Sequence, residues 1–273
     1  MVFPYEVEYQ LALTLAQQAS LIFLPAFHSS KVYSNKSSST DLVTATDRAI
    51  EDLITSRIRS LYPDHNIIGE ETTERVTLDD RPTWIIDPID GTMNFIHCNT
   101  SCCIAIGFSV RKEVQFGVIY NPMLKELWTG KLGEGSYCNG MRLSVSGETS
   151  LTKALVITGM GASRKPDIVK IAMSNITSIT AEPDACHGLR IVGSSVLNIC
   201  SVARGDADAY FDCGMMIWDV AAASVVLREA GGVVMSVKEG EEFDMCRRRV
   251  LVASSEKLGK VIQSKVQHID YCY

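Results

Sequence analysis

The sequence predicts a mixed α/β protein (α+β in its first part), with an antiparallel β region in mid-chain and alternating strands and helices after it. Three observations lead there. Apolar residues recur at helical spacing between Val7 and Phe27 and again after Asp47. From Ile104 to Asn139, short β-favouring runs are separated by turn signals, the pattern of an antiparallel sheet. Beyond the polar stretch Ser144 to Thr149, strand and helix patterns alternate to the end, so a boundary between two subdomains, 1–145 and 146–273, is expected near Ser146.

In chain order, Leu11, Leu15, Ala19 and Ile22 define one face of a first helix. Lys31 to Ser39 is rich in Ser and Lys; it reads either as a flexible loop or as a segment that brings Lys36 to an anionic site. Asp41-Leu42-Val43-Thr44-Ala45-Thr46-Asp47 opens a second helix with Ile50, Leu53, Ile54, Ile58 and Leu61 on its apolar face. Thr44 and Asp47 form a capping-box pattern, so Asp47 reads first as a helix-start carboxylate. Tyr62-Pro63 ends that helix, and Ile67-Ile68 is a short strand followed by Gly69-Glu70-Glu71.

Trp84-Ile85-Ile86 reads as a buried strand that Pro88 terminates at Asp87. Asp90-Gly91 is a turn signal, and Thr92 is placed to cap a short helix starting near Met93. Two carboxylates three residues apart across a proline turn can converge, and a hard cation relieves their repulsion. Amides around Gly91 and Thr92 face the same point, so the stretch suggests a phosphate held by metal. Asp-x-x-Asp-Gly alone is also the pattern of a solvated turn; the buried strand leading into it supports a site.

Ile104 to Phe108 and Val114 to Tyr120 form a hairpin, Glu126 to Trp128 and Gly135 to Asn139 are further strands, and Asn139-Gly140 is a hairpin turn. Ala154 to Thr158 is a strand and Pro166 to Asn175 a helix. Ala207 to Asp212 is a strand, and Trp218-Asp219-Val220 opens a helix ending at Gly231-Gly232, where Asp219 alone reads as a cap. Val233 to Val237 and Val250 to Ala253 are strands, and Ser254-Ser255-Glu256 starts the last helix.

The 273 residues, 46% hydrophobic and 21% charged, suit a globular core of substantial size. A net charge of -6 argues against nucleic acid or an anionic membrane as the main partner. No apolar run is expected to reach the length of a membrane span. Met1 to Glu6 lacks the regions of a signal peptide, so a cytoplasmic location is expected. Nine cysteines without a framework fit reduced thiols. His97, Cys98, Cys102 and Cys103 are disfavoured as a zinc site, because the two adjacent cysteines begin a strand and point to opposite faces.

Gly69-Glu70-Glu71, Trp84 to Thr92 with Asn94-Phe95, Trp218-Asp219-Val220-Ala221, and Asp41 to Asp47 together resemble, in order and separation, the signatures of the inositol monophosphatases. The resemblance runs from the Val7 helix to the Val250 strand. It implies the layered α-β-α-β-α sandwich of the inositol monophosphatase and fructose-bisphosphatase type, a homodimer, and magnesium-dependent, lithium-sensitive hydrolysis of myo-inositol monophosphates. Glu70, Asp87 and the Ile89 carbonyl would hold one magnesium, and Asp87, Asp90 and Asp219 a second, with a third, weaker ion near Glu70. Glu70 and Thr92, with Asp47 behind Thr92, would orient the attacking water. Asp90, Gly91, Thr92, Ser195, Asp212 and Asp219 would line the substrate, and Lys36 the anion or third-metal region. No covalent phosphoenzyme is required.

Two departures stand out. Cys98-Asn99-Thr100-Ser101 replaces the basic residue, aromatic and proline usual after His97, which bears on the rim and subunit contact. Asp212 stands where animal relatives place a glutamate, which bears on substrate choice. The rival readings are a bisphosphate nucleotidase or fructose bisphosphatase of the same superfamily, and a non-catalytic phosphate-binding relative. Retention of Glu70, Asp87, Asp90, Thr92 and Asp219 together opposes the last.

Overall fold

The computed structural model of the chain describes residues 3–31, 33–35, 42–73, 76–161 and 163–271; Lys36, Asp41 and Cys272 lie outside these. Helix α1 (Glu6–Phe27) buries Ala12, Leu15, Ala16, Ala19, Phe23 and Phe27 along one side. Its 22 residues are long and apolar enough to cross a membrane by length and composition, which corrects the expectation from sequence. After Glu8 its polar residues are uncharged, so nothing interrupts the hydropathy, yet the apolar face serves the core. Strands β1 (Tyr33–Asn35) and β2 (Leu42–Thr44) pair antiparallel, so the segment expected to open a helix is first a strand. Helix α2 (Ala45–Leu61) begins at Thr44 with the capping box formed, and it buries Ile50, Ile54 and Ile58.

The main sheet follows: β3 (Asn66–Gly69), β4 (Thr83–Asp90), then after α3 (Thr92–Ile96) β5 (Cys103–Val110), β6 (Glu113–Asn121), β7 (Glu126–Lys131), β8 (Gly135–Cys138) and β9 (Met141–Arg142). These seven strands lie in sequence order, β3 and β4 parallel and the rest antiparallel. The β8–β9 turn uses Asn139 and Gly140 at φ 49° and 78°, the left-handed pair a tight hairpin requires.

A second sheet has the order β11 (Gly188–Arg190), β10 (Leu155–Thr158), β12 (Ala209–Cys213), β14 (Arg249–Ala253), β13 (Val233–Met235). The remaining helices are α4 (Pro166–Thr180), α5 (Ser195–Arg204), α6 (Ala221–Glu229) and α7 (Glu256–Gln263). Strand β11 and helix α5 were not foreseen from sequence.

Three of the four buried clusters among the described residues join five layers. The first joins α1 and α2 to one face of the main sheet through Trp84, Ile86, Ile104, Ile106 and Phe116. The second joins the other face, through Cys103, Ala105 and Ile119, to α5, α6 and the inner face of the second sheet. The third joins the outer face of that sheet to α4 and α7 through Phe211, Leu251, Ile179, Leu258 and Ile262. The α-β-α-β-α sandwich expected from the resemblance is the observed architecture. Cys102 and Cys103 fall in different clusters, on opposite faces of the main sheet as their alternation requires.

Helix α6 lies unusually close to that sheet because three glycines, Gly107, Gly117 and Gly130, stand opposite one another on β5, β6 and β7. A Cβ at Gly117 would lie 2.1 Å from the Ala222 carbonyl oxygen, and one at Gly130 2.8 Å from Val226 Cα. The glycine row is the groove in which α6 is seated, and the residues just before α6 are thereby set against β4 and β5.

Candidate active site

Strand β4 does not stop at Asp87; it runs through Pro88 to Asp90, and its register against β5 shifts between the two aspartates. Trp84, Ile86 and Ile89 all face the first cluster, whereas strict alternation would put Ile89 on the other side. The irregularity at Pro88 therefore moves the pattern by one residue and brings Asp87 and Asp90 to the same side. Gly91 follows at φ 85° and occupies the cap position of α3, so the expected cap by Thr92 is not found. A Cβ at Gly91 would lie 2.9 Å from the Ser101 carbonyl oxygen.

Asp219 comes from the turn before α6. It does not cap that helix, whose first residue lies two positions on; its Oδ2 instead accepts from the Met216 amide at 2.6 Å. Ligand oxygens of Asp87, Asp90 and Asp219 all lie within 4.8 Å of one another. Asp87 and Asp90 are buried, and Asp87 Oδ1 has no hydrogen-bond partner among the described residues. Burial, with Glu70, Asp90 and Asp219 adding repulsion, pushes the Asp87 carboxyl well above the usual range. Burial likewise raises Asp90 and Asp219 to about 7, in Asp219 with the Asp90 charge as the next cause. Three converging carboxylates, one with an orphaned oxygen, are the donor set that a hard cation fits.

Glu70, half-buried at the end of β3, is tied to β4 by its amide, which donates to the Ile86 carbonyl at 3.2 Å. The Thr92 hydroxyl lies 3.0 Å from the Ile89 carbonyl and 3.3 Å from Asp47 Oδ1. Asp47 is fully buried, and its other oxygen accepts from the Thr44 amide at 2.9 Å and from the Thr44 hydroxyl. Asp47 thus closes the capping box with one oxygen, as its place at the helix start predicts, and reaches Thr92 with the other.

On the second-sheet side, the Tyr210 hydroxyl lies 3.1 Å from Ser195 Oγ and 3.5 Å from Asp212 Oδ2. Asp212 Oδ1 accepts from the Cys213 amide at 2.7 Å, and burial raises its carboxyl to about 6. Sequence reasoning missed Ser194. Its hydroxyl donates to Asp90 Oδ2 and accepts from the Leu197 amide at 3.2 Å, so it caps α5 while holding Asp90, which also accepts from the Val196 amide at 3.1 Å. A serine after a glycine and before an apolar helical run is a readable cap signal. The Cys98 thiol, where the rim departs from the family pattern, lies 3.2 Å from Lys31 Nζ and 3.3 Å from the Phe27 carbonyl oxygen.

The family model described as "Inositol monophosphatase family" matches residues 5–270. The chain is 44% identical over 271 residues to "Inositol monophosphatase 2" of Homo sapiens, covering 98% of this chain and 93% of that one. It is 42% identical to "Inositol monophosphatase 1" of the same organism, covering 97% and 96%. Among solved structures it is similar to the extragenic suppressor protein suhB of Bartonella henselae, with a TM-score of 0.85 at 26% identity over 95% and 98% of the two chains. The inositol monophosphatase of Anabaena (Nostoc) gives 0.81 at 29% identity over 95% of each. With site geometry, fold and sequence in agreement over nearly its full length, the chain belongs to the inositol monophosphatase family.

Proposed function

We propose that the chain hydrolyses myo-inositol monophosphates to inositol and phosphate, with magnesium as its cofactor. The observation that carries this reading is the convergence of Asp87, Asp90 and Asp219 within 4.8 Å, with one buried oxygen of Asp87 left without a hydrogen bond among the described residues. Glu70, Asp87 and the Ile89 carbonyl would hold one ion, Asp87, Asp90 and Asp219 the second, and a third, weaker ion would sit near Glu70. Bound magnesium supplies Lewis-acid stabilisation of phosphoryl charge and makes water at the site more acidic.

The protein's own groups orient the reaction. Asp47 accepts a hydrogen bond from the Thr92 hydroxyl, which turns a Thr92 lone pair toward the incoming water, and Glu70 orients that water as an acceptor of its proton. Amides at Gly91 and Thr92 bind a phosphate oxygen. Ser195 and Asp212, joined through Tyr210, line the alcohol side together with Asp90 and Asp219. The first half of the chain, 1–145, contributes Glu70 and the Asp87 to Thr92 segment; the second, 146–273, contributes Asp219, so the two act as one catalytic unit. We assign the protein to a reducing compartment such as the cytoplasm, supported by eight free thiols among the described residues. The family resemblance supports a homodimer, and the net charge of -6 supports neither nucleic acid nor membrane as partner.

Phosphate release is to be measured from inositol 1-phosphate, fructose bisphosphate and a 3′-phosphorylated nucleotide, with magnesium and with chelator. Preference for the inositol ester that depends on magnesium supports the proposal. Preference for either of the others reassigns the substrate, and no release from any overturns the catalytic reading.

A further inference from the structure

One turn after Asp47, on the same side of α2, Glu51 is fully buried. Like charges four residues apart on a helix repel, and a buried carboxylate loses its hydration, so two acids at these positions work against folding unless they hold something. Asp47 holds Thr92. Glu51 Oε2 accepts from the Glu71 amide at 2.8 Å, across 20 residues of sequence. Its Oε1 has no hydrogen-bond partner among the described residues and is packed against Gly69, where a Cβ would lie 2.5 Å from it.

The turn that Glu51 meets is the one carrying Glu70. Thr73 closes that turn on itself: its hydroxyl accepts from the Gly69 amide at 2.9 Å and its amide donates to the Gly69 carbonyl at 3.1 Å. At Glu70 and its neighbour the backbone of the turn is attached to β4 by the Glu70 amide, which donates to the Ile86 carbonyl, and to α2 by the Glu71 amide, which donates to Glu51. Gly69 is required for the second, since any side chain there would displace the carboxylate.

We propose that Glu51 is a positioning residue for the reaction. Its carboxylate holds the Gly69 to Glu71 turn, and so the Glu70 side chain, in fixed relation to the Thr92 hydroxyl that Asp47 holds from the preceding turn of the same helix. One rigid face of α2 thus sets both groups assigned to the attacking water. This rests on the reading of Glu70 given under the proposed function.

Three variants separate the possibilities. Glu51→Gln keeps an acceptor oxygen at the same reach without the charge; Glu51→Asp keeps the charge and withdraws the oxygen by one methylene; Glu51→Ala removes both. Each is measured for kcat, KM, magnesium affinity by calorimetry and melting temperature. If the hydrogen bond positions the turn, Glu51→Gln stays close to the unsubstituted protein. Glu51→Asp and Glu51→Ala then lose about 10–100-fold in kcat or magnesium affinity, with KM little changed. The Gln and Asp pair decides the matter should the Ala variant not fold. The proposal is overturned if Asp is active and Gln is not, which makes the charge the operative property. It is equally overturned if the variants lower only the melting temperature, which makes Glu51 merely structural. Glu70→Gln serves as control: loss there with none at Glu51 removes this proposal alone, whereas no loss at Glu70 removes the underlying reading as well.

Discussion

Magnesium should stabilise this protein more as pH rises, and Asp87→Asn should abolish most of that gain. Two ionised carboxylates whose oxygens lie within 4.8 Å of each other repel by about 3.5 kcal/mol or more at an effective dielectric of 20. Burial first, then neighbouring charge, raises Asp90 and Asp219 to about 7, and a carboxyl near 7 when folded but near 3.9 when unfolded corresponds to about 4 kcal/mol. The metal-free folded state therefore binds protons more tightly than the unfolded chain between about pH 4 and pH 7, and its stability falls across that window as pH rises. Because the Asp90 charge is itself one cause of the rise at Asp219, the loss for the cluster is less than twice the single value. Magnesium takes the place of those protons, so its binding strengthens over the same window. At a hundredfold excess over its dissociation constant it contributes about 2.7 kcal/mol. In a chain this long that is a rise of roughly 5–10 °C in melting temperature, at about 2–4 °C per kcal/mol. Thermal unfolding with magnesium and with chelator, at about pH 5.5 and about pH 8, reads the effect directly. Asp87→Asn keeps the shape and removes the charge assigned to both ions, so the magnesium shift should shrink at both pH values and turnover should disappear while the fold persists. A magnesium shift that is equal at the two pH values, or that survives in Asp87→Asn, refutes the assignment.

Thr92→Ala removes the hydroxyl that meets Asp47 and Ile89 but spares the amide assigned to phosphate, so kcat should fall with KM little changed; a steep rise in KM at preserved kcat makes Thr92 a binding residue only. Gly117→Ala places a Cβ 2.1 Å from the Ala222 carbonyl oxygen and should destabilise the fold by about 1–3 kcal/mol or more, read as a lower urea midpoint. Asp212 now spends one oxygen on the Cys213 amide, and a carboxylate hydrogen-bonded to a sugar hydroxyl contributes about 1.5–3 kcal/mol only when its reach is right. Asp212→Glu should therefore sharpen the preference for inositol 1-phosphate over glycerol 2-phosphate without altering magnesium dependence. An inositol preference already strong and unchanged by the substitution would show the shorter side chain to be sufficient.

The elements legible in the sequence were those whose signals are local. Helix α1, helix α2, the β5–β6 pair and the Asn139-Gly140 turn each carry their own periodicity or turn residues, and each stands within a few positions of where it was expected. Asp87 and Asp90 were legible as a pair because a buried strand leads into them. What was hidden is how they come to one side: proline alone suggests that a strand ends, whereas the observed bulge lets it continue with shifted facing. Asp219 shows the complementary limit. Its position before a helix suggests a cap, and nothing nearby in sequence says that the helix begins two residues later or that Asp87 lies opposite.

That last contact is a product of packing between distant parts of the chain. Gly107, Gly117 and Gly130 have no meaning as single residues; they form a row only once β5, β6 and β7 pair in register, and only that row admits α6 close to the sheet. Asp219 sits at the entrance to α6, so the depth at which the helix is seated governs where its carboxylate falls relative to Asp87 and Asp90. Ser194 does the same from the other side, capping α5 while holding Asp90. The acidic cluster is thus located by backbone features of three layers, and its carboxylates converge against their own repulsion because burial of the apolar clusters around them, at about 25 cal/mol per Å² removed from water, outweighs it. A site assembled this way is primed for a cation: the folding energy of the surrounding layers already holds together the charges that the ion then neutralises.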